Sequence, residues 1–179
     1  MSKILTVTIP SYNTEKYIDE CLPYLIDERI ISDIEILIVS DGSIDNTVTV
    51  AQKWADKYPD SIRVIDKENG GHGSTINRGI LEATGKYFKV VDSDDWVNRE
   101  SYEKILHTLE ELVKGSHTVD LLISNFVYEK QGAVKKRVMH YRHCFPTEEV
   151  FTWDQVKHMP KGKYLLMHSL IYRTKLLVD

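Results

Sequence analysis

The sequence predicts an α/β fold, a mainly parallel Rossmann-like sheet with helices on both faces. Apolar runs rich in β-branched residues alternate with segments of helical period, and polar Asp/Gly/Asn-rich junctions follow four of the runs. Strands separated by helices imply parallel pairing with both faces covered. At 179 residues the chain falls within the roughly 100 to 200 that one hydrophobic core serves, so a single domain over residues 1–179 is expected.

The elements follow in order. A strand near Ile4 to Ile9 leads into a helix from about Glu15 to Glu28. There Ile18, Cys21, Leu22, Leu25 and Ile26 form one apolar stripe, with Pro23 a mild irregularity. Next come a strand at Ile34 to Val39, a helix at Thr47 to Tyr58, a strand at Ile62 to Ile65, a helix at Ser74 to Ala83 and a strand at Tyr87 to Val91. Asn98 is a good N-cap for a helix running to about Val113, and Val119 to Ser124 reads as a further strand. The alternation then weakens. A hairpin around Gln131-Gly132 is expected between Phe126 and Tyr141. Thr152 and Gln155 stand at capping-box spacing within Thr147 to Met159, and an apolar run spans Tyr164 to Tyr172. This change of texture marks a subregion.

Composition narrows the function classes. A hydrophobic fraction of 42% with 28% charged residues describes an ordinary folded domain, and a net charge of −4 gives no electrostatic reason to seek nucleic acid. The basic run Lys135-Lys136-Arg137 reads as a solvated face. Cys21 and Cys144 lie far apart without a C-x-x-C pair, which suits core fillers in a reducing cytoplasm. No stretch approaches the ~20 apolar residues of a membrane span, and the start of the chain is too short and too alternating for a signal segment.

Ligands of open α/β sheets bind outside the carboxyl ends of the strands. Four junctions meet there: Pro10 to Asn13, Ser40 to Thr47, Glu68 to Gly73, and Asp92-Ser93-Asp94-Asp95. The last crowds three carboxylates into four residues, a repulsion that a cation relieves. Oxygen ligands suit Mg2+ or Mn2+ bridging a diphosphate. Taken alone, the acidic residues also fit the positive end of a helix dipole. Asp41-Gly42-Ser43 alone reads as a turn and helix cap. The run Asn69 to Ser74 can bring backbone N–H groups to an anion at a helix start. It is no dinucleotide fingerprint, because Ile76 stands where the third glycine should fall. Gly79 to Lys86 is no P-loop, because five residues separate its glycines and Tyr87 replaces Ser or Thr.

The order of these motifs resembles the family 2 glycosyltransferases over residues 3 to about 113. The resemblance rests on Pro10-Ser11-Tyr12-Asn13, Glu35 to Ser43 with Asp45-Asn46-Thr47, Asn69-Gly70-Gly71 to Asn77-Arg78-Gly79, and Asp92 to Asp95. It implies a GT-A nucleotide-binding fold and transfer of a sugar, with inversion, from a nucleotide-diphosphate sugar, a UDP-sugar first among them. The acceptor would be a hydroxyl on a saccharide or lipid-linked saccharide of the cell surface, reached from the cytoplasmic side. Pro10, Tyr12 and Asp41 would hold base and ribose, Asp92 the ribose, and Gly70, Gly71, Asn77 and Arg78 would close over the nucleotide. Asp94 and Asp95 would hold Mg2+ or Mn2+. Residues 1–98 would form the nucleotide-sugar-binding part and residues 99–179 the start of the acceptor-side part.

Ser40 departs from the family's frequent second Asp. The acceptor-side base has no clear match between Asn125 and Asp179, where Asp154 is a candidate only by elimination. Met167 to Arg173 resembles the stretch that precedes this base, so the expectation is a chain that stops short of it, with any membrane association supplied further on. Trp96, beside the acidic cluster, and Trp153 suit either a sugar face or the core. His140, His143 and Cys144 lack a fourth ligand for zinc and read as hairpin or surface residues. Two rivals are a sugar-phosphate nucleotidylyltransferase, which needs a glycine-rich basic loop after the first strand, and an inert nucleotide-binding module.

Overall fold

The computed structural model describes residues 3–116, 118–129 and 136–178. Its centre is a six-stranded sheet. β1 (Leu5–Ser11), β2 (Ile34–Asp41), β3 (Ile62–Lys67) and β4 (Tyr87–Val90) are parallel in the order β3-β2-β1-β4. β5 (Leu121–Ile123) and β8 (Leu170–Arg173) complete it beyond β4, with β8 antiparallel to both neighbours. β1 and β2 are buried along their whole length, Thr6, Thr8 and Glu35 included, as expected of strands covered on both faces, whereas the edge strand β3 mixes buried, half-buried and exposed positions.

The helices α1 (Glu15–Leu25), α2 (Thr47–Lys57), α3 (His72–Glu82) and α4 (Arg99–Lys114) follow β1, β2, β3 and β4 in turn. Ile18, Cys21, Leu22 and Leu25 of α1 and Tyr102, Leu106 and Leu109 of α4 share one core with Leu5, Val7, Ile9 and Ile171. Asn98 caps α4, its side chain accepting from the Ser101 N–H at 3.0 Å. α1 stops at Leu25, three residues short of the expected Glu28. The Asp27 carboxylate there accepts from the Arg29 N–H and guanidinium, an alternative to continued helix. α3 begins at His72 rather than Ser74, because Gly71 turns the chain at φ 85°.

A smaller core covers the other end. β6 (Phe126–Tyr128) and β7 (Arg137–Met139) form the expected hairpin, and its Gln131-Gly132 turn, like Lys135 of the basic run, lies outside the described residues. Met139, Tyr141, Cys144 and Phe145 pack together with Phe126, Phe151 and Leu165. Thr147 to Met159 is mostly irregular. Its one 3-10 turn, Trp153–Gln155, keeps a capping contact in which the Gln155 side chain accepts from the Thr152 N–H at 2.9 Å. A second 3-10 turn, Met167–Ser169, precedes β8, and α5 (Lys175–Val178) follows it. Among the described residues no helix is long and apolar enough to cross a membrane.

Candidate active site

After β1 the chain adds strands on one side through β2 and β3, then crosses to place β4 on the other side of β1. The crevice at that reversal, outside the carboxyl ends of the strands, is where such sheets take ligands. A cleft of about 420 Å³ opens there, lined by Pro10, Tyr12, Asp41, Gly71, Asp92 and Asp94, with Asn69, His72 and Thr75 beside them. All four predicted junctions therefore meet.

Local hydrogen bonds fix the first two junctions to each other. Asn13, at φ 53°, donates its N–H to Ser43 Oγ and accepts from the Ile44 N–H at 2.9 Å. The Thr14 N–H donates to Thr47 Oγ1 and the Glu15 N–H to the Asp45 carboxylate. The motif Asp45-Asn46-Thr47 thus both starts α2 and ties it to the start of α1. Ser40, in place of a carboxylate, accepts from the Ser43 N–H and donates to its hydroxyl.

Asp41 ends β2 and is buried. Its carboxylate accepts from the N–H groups of Gly70 (2.9 Å) and Gly71 (2.7 Å), from Lys67 Nζ (2.5 Å) and from Ser74 Oγ (3.3 Å). Burial alone would push this carboxyl up; the hydrogen bonds from Lys67, Gly70 and Gly71 outweigh it and hold it below the usual carboxylate range. Asp41 is thereby the fastener of the glycine-rich loop. Gly70 contributes through this N–H and does not line the cleft. Asn77 and Arg78 are exposed on α3, outside the cleft lining, and the Arg78 guanidinium is paired with Glu82 one turn on at 2.7 Å.

At the acidic end Asp92 stands between two imidazoles. His72 Nε2 is 2.9 Å from one of its oxygens and His168 Nδ1 is 4.0 Å from the other; His168 Nδ1 is also 3.4 Å from Asp95. Ligand atoms of Asp92, Asp95 and His168 lie within 4.8 Å of one another, the one such cluster among the described residues. Two carboxylate oxygens and an imidazole nitrogen make a donor set that fits a divalent cation. Partial burial raises the Asp95 carboxyl above its ordinary range, His168 countering and Asp92 and Asp94 adding, which is the repulsion a cation removes. The structure gathers Asp92 and His168 around Asp95, while Asp94 lines the cleft beside them. Beneath the cluster, burial pushes the Cys21 thiol up to about 12, with Asp95, Asp94 and Asp92 adding to the effect, and brings the Lys89 ammonium down to about 8 against the pull of Asp95. Cys21 is a core residue, as expected.

Other expected positions lie outside this geometry. Trp96 is half-exposed against Tyr24, ring centroids 6.4 Å apart, and Trp153 is exposed; neither lines the cleft. Asp154 accepts from the Thr152 hydroxyl within its 3-10 turn. His140 and His143 face each other at 5.7 Å, with Cys144 buried nearby in the smaller core.

The model of glycosyl transferase family 2 matches residues 6–172. This chain belongs to that family. The putative glycosyltransferase EpsH of Bacillus subtilis (strain 168) is 38% identical over 131 residues, which are 73% of this chain and 36% of EpsH. The minor teichoic acid biosynthesis protein GgaB of the same organism is 34% identical over 107 residues, 59% of this chain and 12% of GgaB. The crystal structure of S. aureus TarS 1-349 superimposes with a TM-score of 0.73 at 29% identity, covering 98% of this chain and 48% of that one. The same TarS fragment in complex with UDP-GlcNAc gives a TM-score of 0.72 at 27% identity, over 98% of this chain and 47% of that one. This chain thus spans less than half the length of these relatives. The sheet and its helices are the GT-A fold of the family, as the motif order implied.

Two cleft residues, His72 and Thr75, and the cluster residue His168 were not singled out from sequence. His72 and Thr75 lie inside the glycine-rich motif and its helix, where only backbone was expected to matter. His168 reaches Asp92 from 76 positions away in sequence, through the antiparallel return of β8.

Proposed function

We propose that this chain is the nucleotide-sugar-binding half of an inverting glycosyltransferase that moves a sugar from a UDP-sugar to a hydroxyl of a cell-surface polysaccharide or lipid-linked saccharide. The observation that carries the reading is the cleft of about 420 Å³ at the sheet's reversal, which Asp41, Asp92 and Asp94 line, with the Asp92, Asp95 and His168 cluster at one end. Support for the donor class comes from TarS, whose structure contains UDP-GlcNAc in the same fold, and for the product class from GgaB and its teichoic acid assignment.

In this reading residues 1–98 hold the donor and residues 99–179 begin the acceptor-side wall. Pro10 and Tyr12 flank the base. Asp41 acts on base and ribose from the cleft floor and through the loop it fastens, whose Gly70 and Gly71 approach the nucleotide. Asn77 and Arg78 continue that closing segment on α3. Asp92 and Asp94 face the ribose and diphosphate, and Asp95 holds Mg2+ or Mn2+ with Asp94, joined by Asp92 and His168. When bound, the cation offsets the charge that develops on the departing nucleoside diphosphate. A carboxylate base takes the acceptor proton.

The test is the thermal midpoint with excess UDP, with and without Mn2+. Ligand at 100 times its dissociation constant stabilises by about 2.7 kcal/mol, a rise of roughly 5 to 10 °C for a domain of this size. The expected outcome is a rise with UDP alone that Mn2+ enlarges in the wild type, the Mn2+ increment being lost in Asp95→Ala. No shift with UDP, GDP, CDP or dTDP, metal present, overturns the donor site.

A further inference from the structure

β4 buries a lysine. Lys89 pairs in register with Val7 on β1 and is 5% exposed, at a position that packing alone would fill with an apolar side chain. Among the described residues its ammonium has no carboxylate within ion-pair distance. Its one hydrogen bond runs from Nζ to the His168 carbonyl oxygen at 2.7 Å. A buried charge without a close counter-ion costs several kcal/mol, so the arrangement calls for a compensating role.

The place of that hydrogen bond supplies one. The β4–β8 ladder consists of Tyr87↔Arg173 and Phe88↔Tyr172 and goes no further, so Lys89 is the next link between β4 and the turn that carries His168. On its far side the turn is held by the Ser124 N–H, which donates to the Ser169 carbonyl at 2.7 Å, and the His168 ring rests near Phe126 at 6.2 Å. Among the described residues Lys89 makes the one hydrogen bond that holds the turn from the β4 side.

We infer that Lys89 is a positioning residue, which fixes the backbone of the Met167–Ser169 turn so that the His168 imidazole stands against Asp92 and Asp95 before any cation arrives. This rests on the reading of Asp92, Asp95 and His168 as the cation site. Groups one step behind metal ligands typically change metal affinity 10- to 100-fold when removed. Charge alone predicts the opposite sign, since deleting a cation beside an acidic cluster favours a second cation.

The experiment titrates Mn2+ against the thermal midpoint at fixed saturating UDP for wild type, Lys89→Met, His168→Ala and the double variant. The UDP shift without metal serves as the control for an intact fold. Lys89→Met should raise the Mn2+ concentration for half-effect by about tenfold or more. In the His168→Ala background the same change should add less than about twofold, because both substitutions remove one interaction. Lys89→Gln, which keeps an N–H donor and loses the charge, should recover part of the affinity, and it carries the same comparison where Lys89→Met does not fold. Unchanged or tighter Mn2+ dependence in both Lys89 variants, or fully additive losses, overturns the role of Lys89 alone. A wild type with no Mn2+ dependence, or His168→Ala that behaves as wild type, overturns the cation site itself.

Discussion

The Asp41 carboxylate meets four donors, and those from Gly70, Gly71 and Ser74 come from about 30 residues downstream. Its value to the cleft therefore includes the shape of the loop as well as any contact with a ligand. Asp41→Asn keeps the size and loses the charge, so Lys67 and two backbone N–H groups lose a charged acceptor. Hydrogen bonds to charged groups contribute about 1.5 to 3 kcal/mol, and we expect a midpoint lower by about 3 to 12 °C at pH 7. The pH dependence has a definite sign. A carboxyl held below its ordinary range in the folded state stabilises the fold above the unfolded value of about 4 and loses that contribution as pH falls through the folded value. The gap between wild type and Asp41→Asn should be full at pH 7 and should close below pH 4; a gap that widened in acid would contradict the fastener. The position of Asp41 was legible, since an acidic residue ending an apolar run before Gly42 marks a strand end. Its partner Lys67 was not, because the pairing arises only where β2 and β3 lie side by side.

Strands and helices through Lys114 were legible because each has an unbroken period and a clear boundary signal, and the misplaced ends have local causes in Asp27 and Gly71. What periodicity could not show is how closely neighbouring elements approach. Gly79 of α3 sits against β1 so tightly that an added Cβ would lie 2.3 Å from Thr8 Oγ1, 2.5 Å from Thr8 Cγ2 and 2.9 Å from Thr8 Cβ. The glycines that failed as a P-loop thus serve packing, for Gly85 likewise meets the backbone of β1. Exposed helical Gly→Ala gains about 1 kcal/mol. Here overpacking of about 1 to 3 kcal/mol opposes it. Gly79→Ala should lower the thermal midpoint, and Thr8→Ala in that background should restore part of the loss by removing two of the three contacts. A midpoint raised by Gly79→Ala would mean that α3 can move off the sheet at little cost.

The two largest of the three buried apolar clusters among the described residues divide the chain unevenly. The larger one joins α1 and α4 to the central strands, whereas the smaller one gathers Met139, Tyr141, Cys144 and Phe145 under short or irregular segments. That contrast explains why the sequence was readable to about residue 124 and weak beyond: irregular segments placed by tertiary contacts carry no period. The cluster of Asp92, Asp95 and His168 straddles the boundary, with Asp92 and Asp95 following β4 and His168 preceding β8. Local stability should follow the same division, since openings are easiest where few apolar contacts hold the backbone. In native-state hydrogen exchange, amides of β1, β2 and β4 should be the slowest, and those of residues 140–165 should exchange faster. UDP with Mn2+ should then slow exchange in two separated stretches together, residues 69–75 and residues 166–170, because a ligand bridging the two sides stabilises both against opening. UDP without metal should protect the first stretch and leave the second nearly unchanged. Protection of residues 166–170 that did not depend on Mn2+ would mean that His168 meets the nucleotide directly, and the cation would then have to be held by Asp92, Asp94 and Asp95 alone.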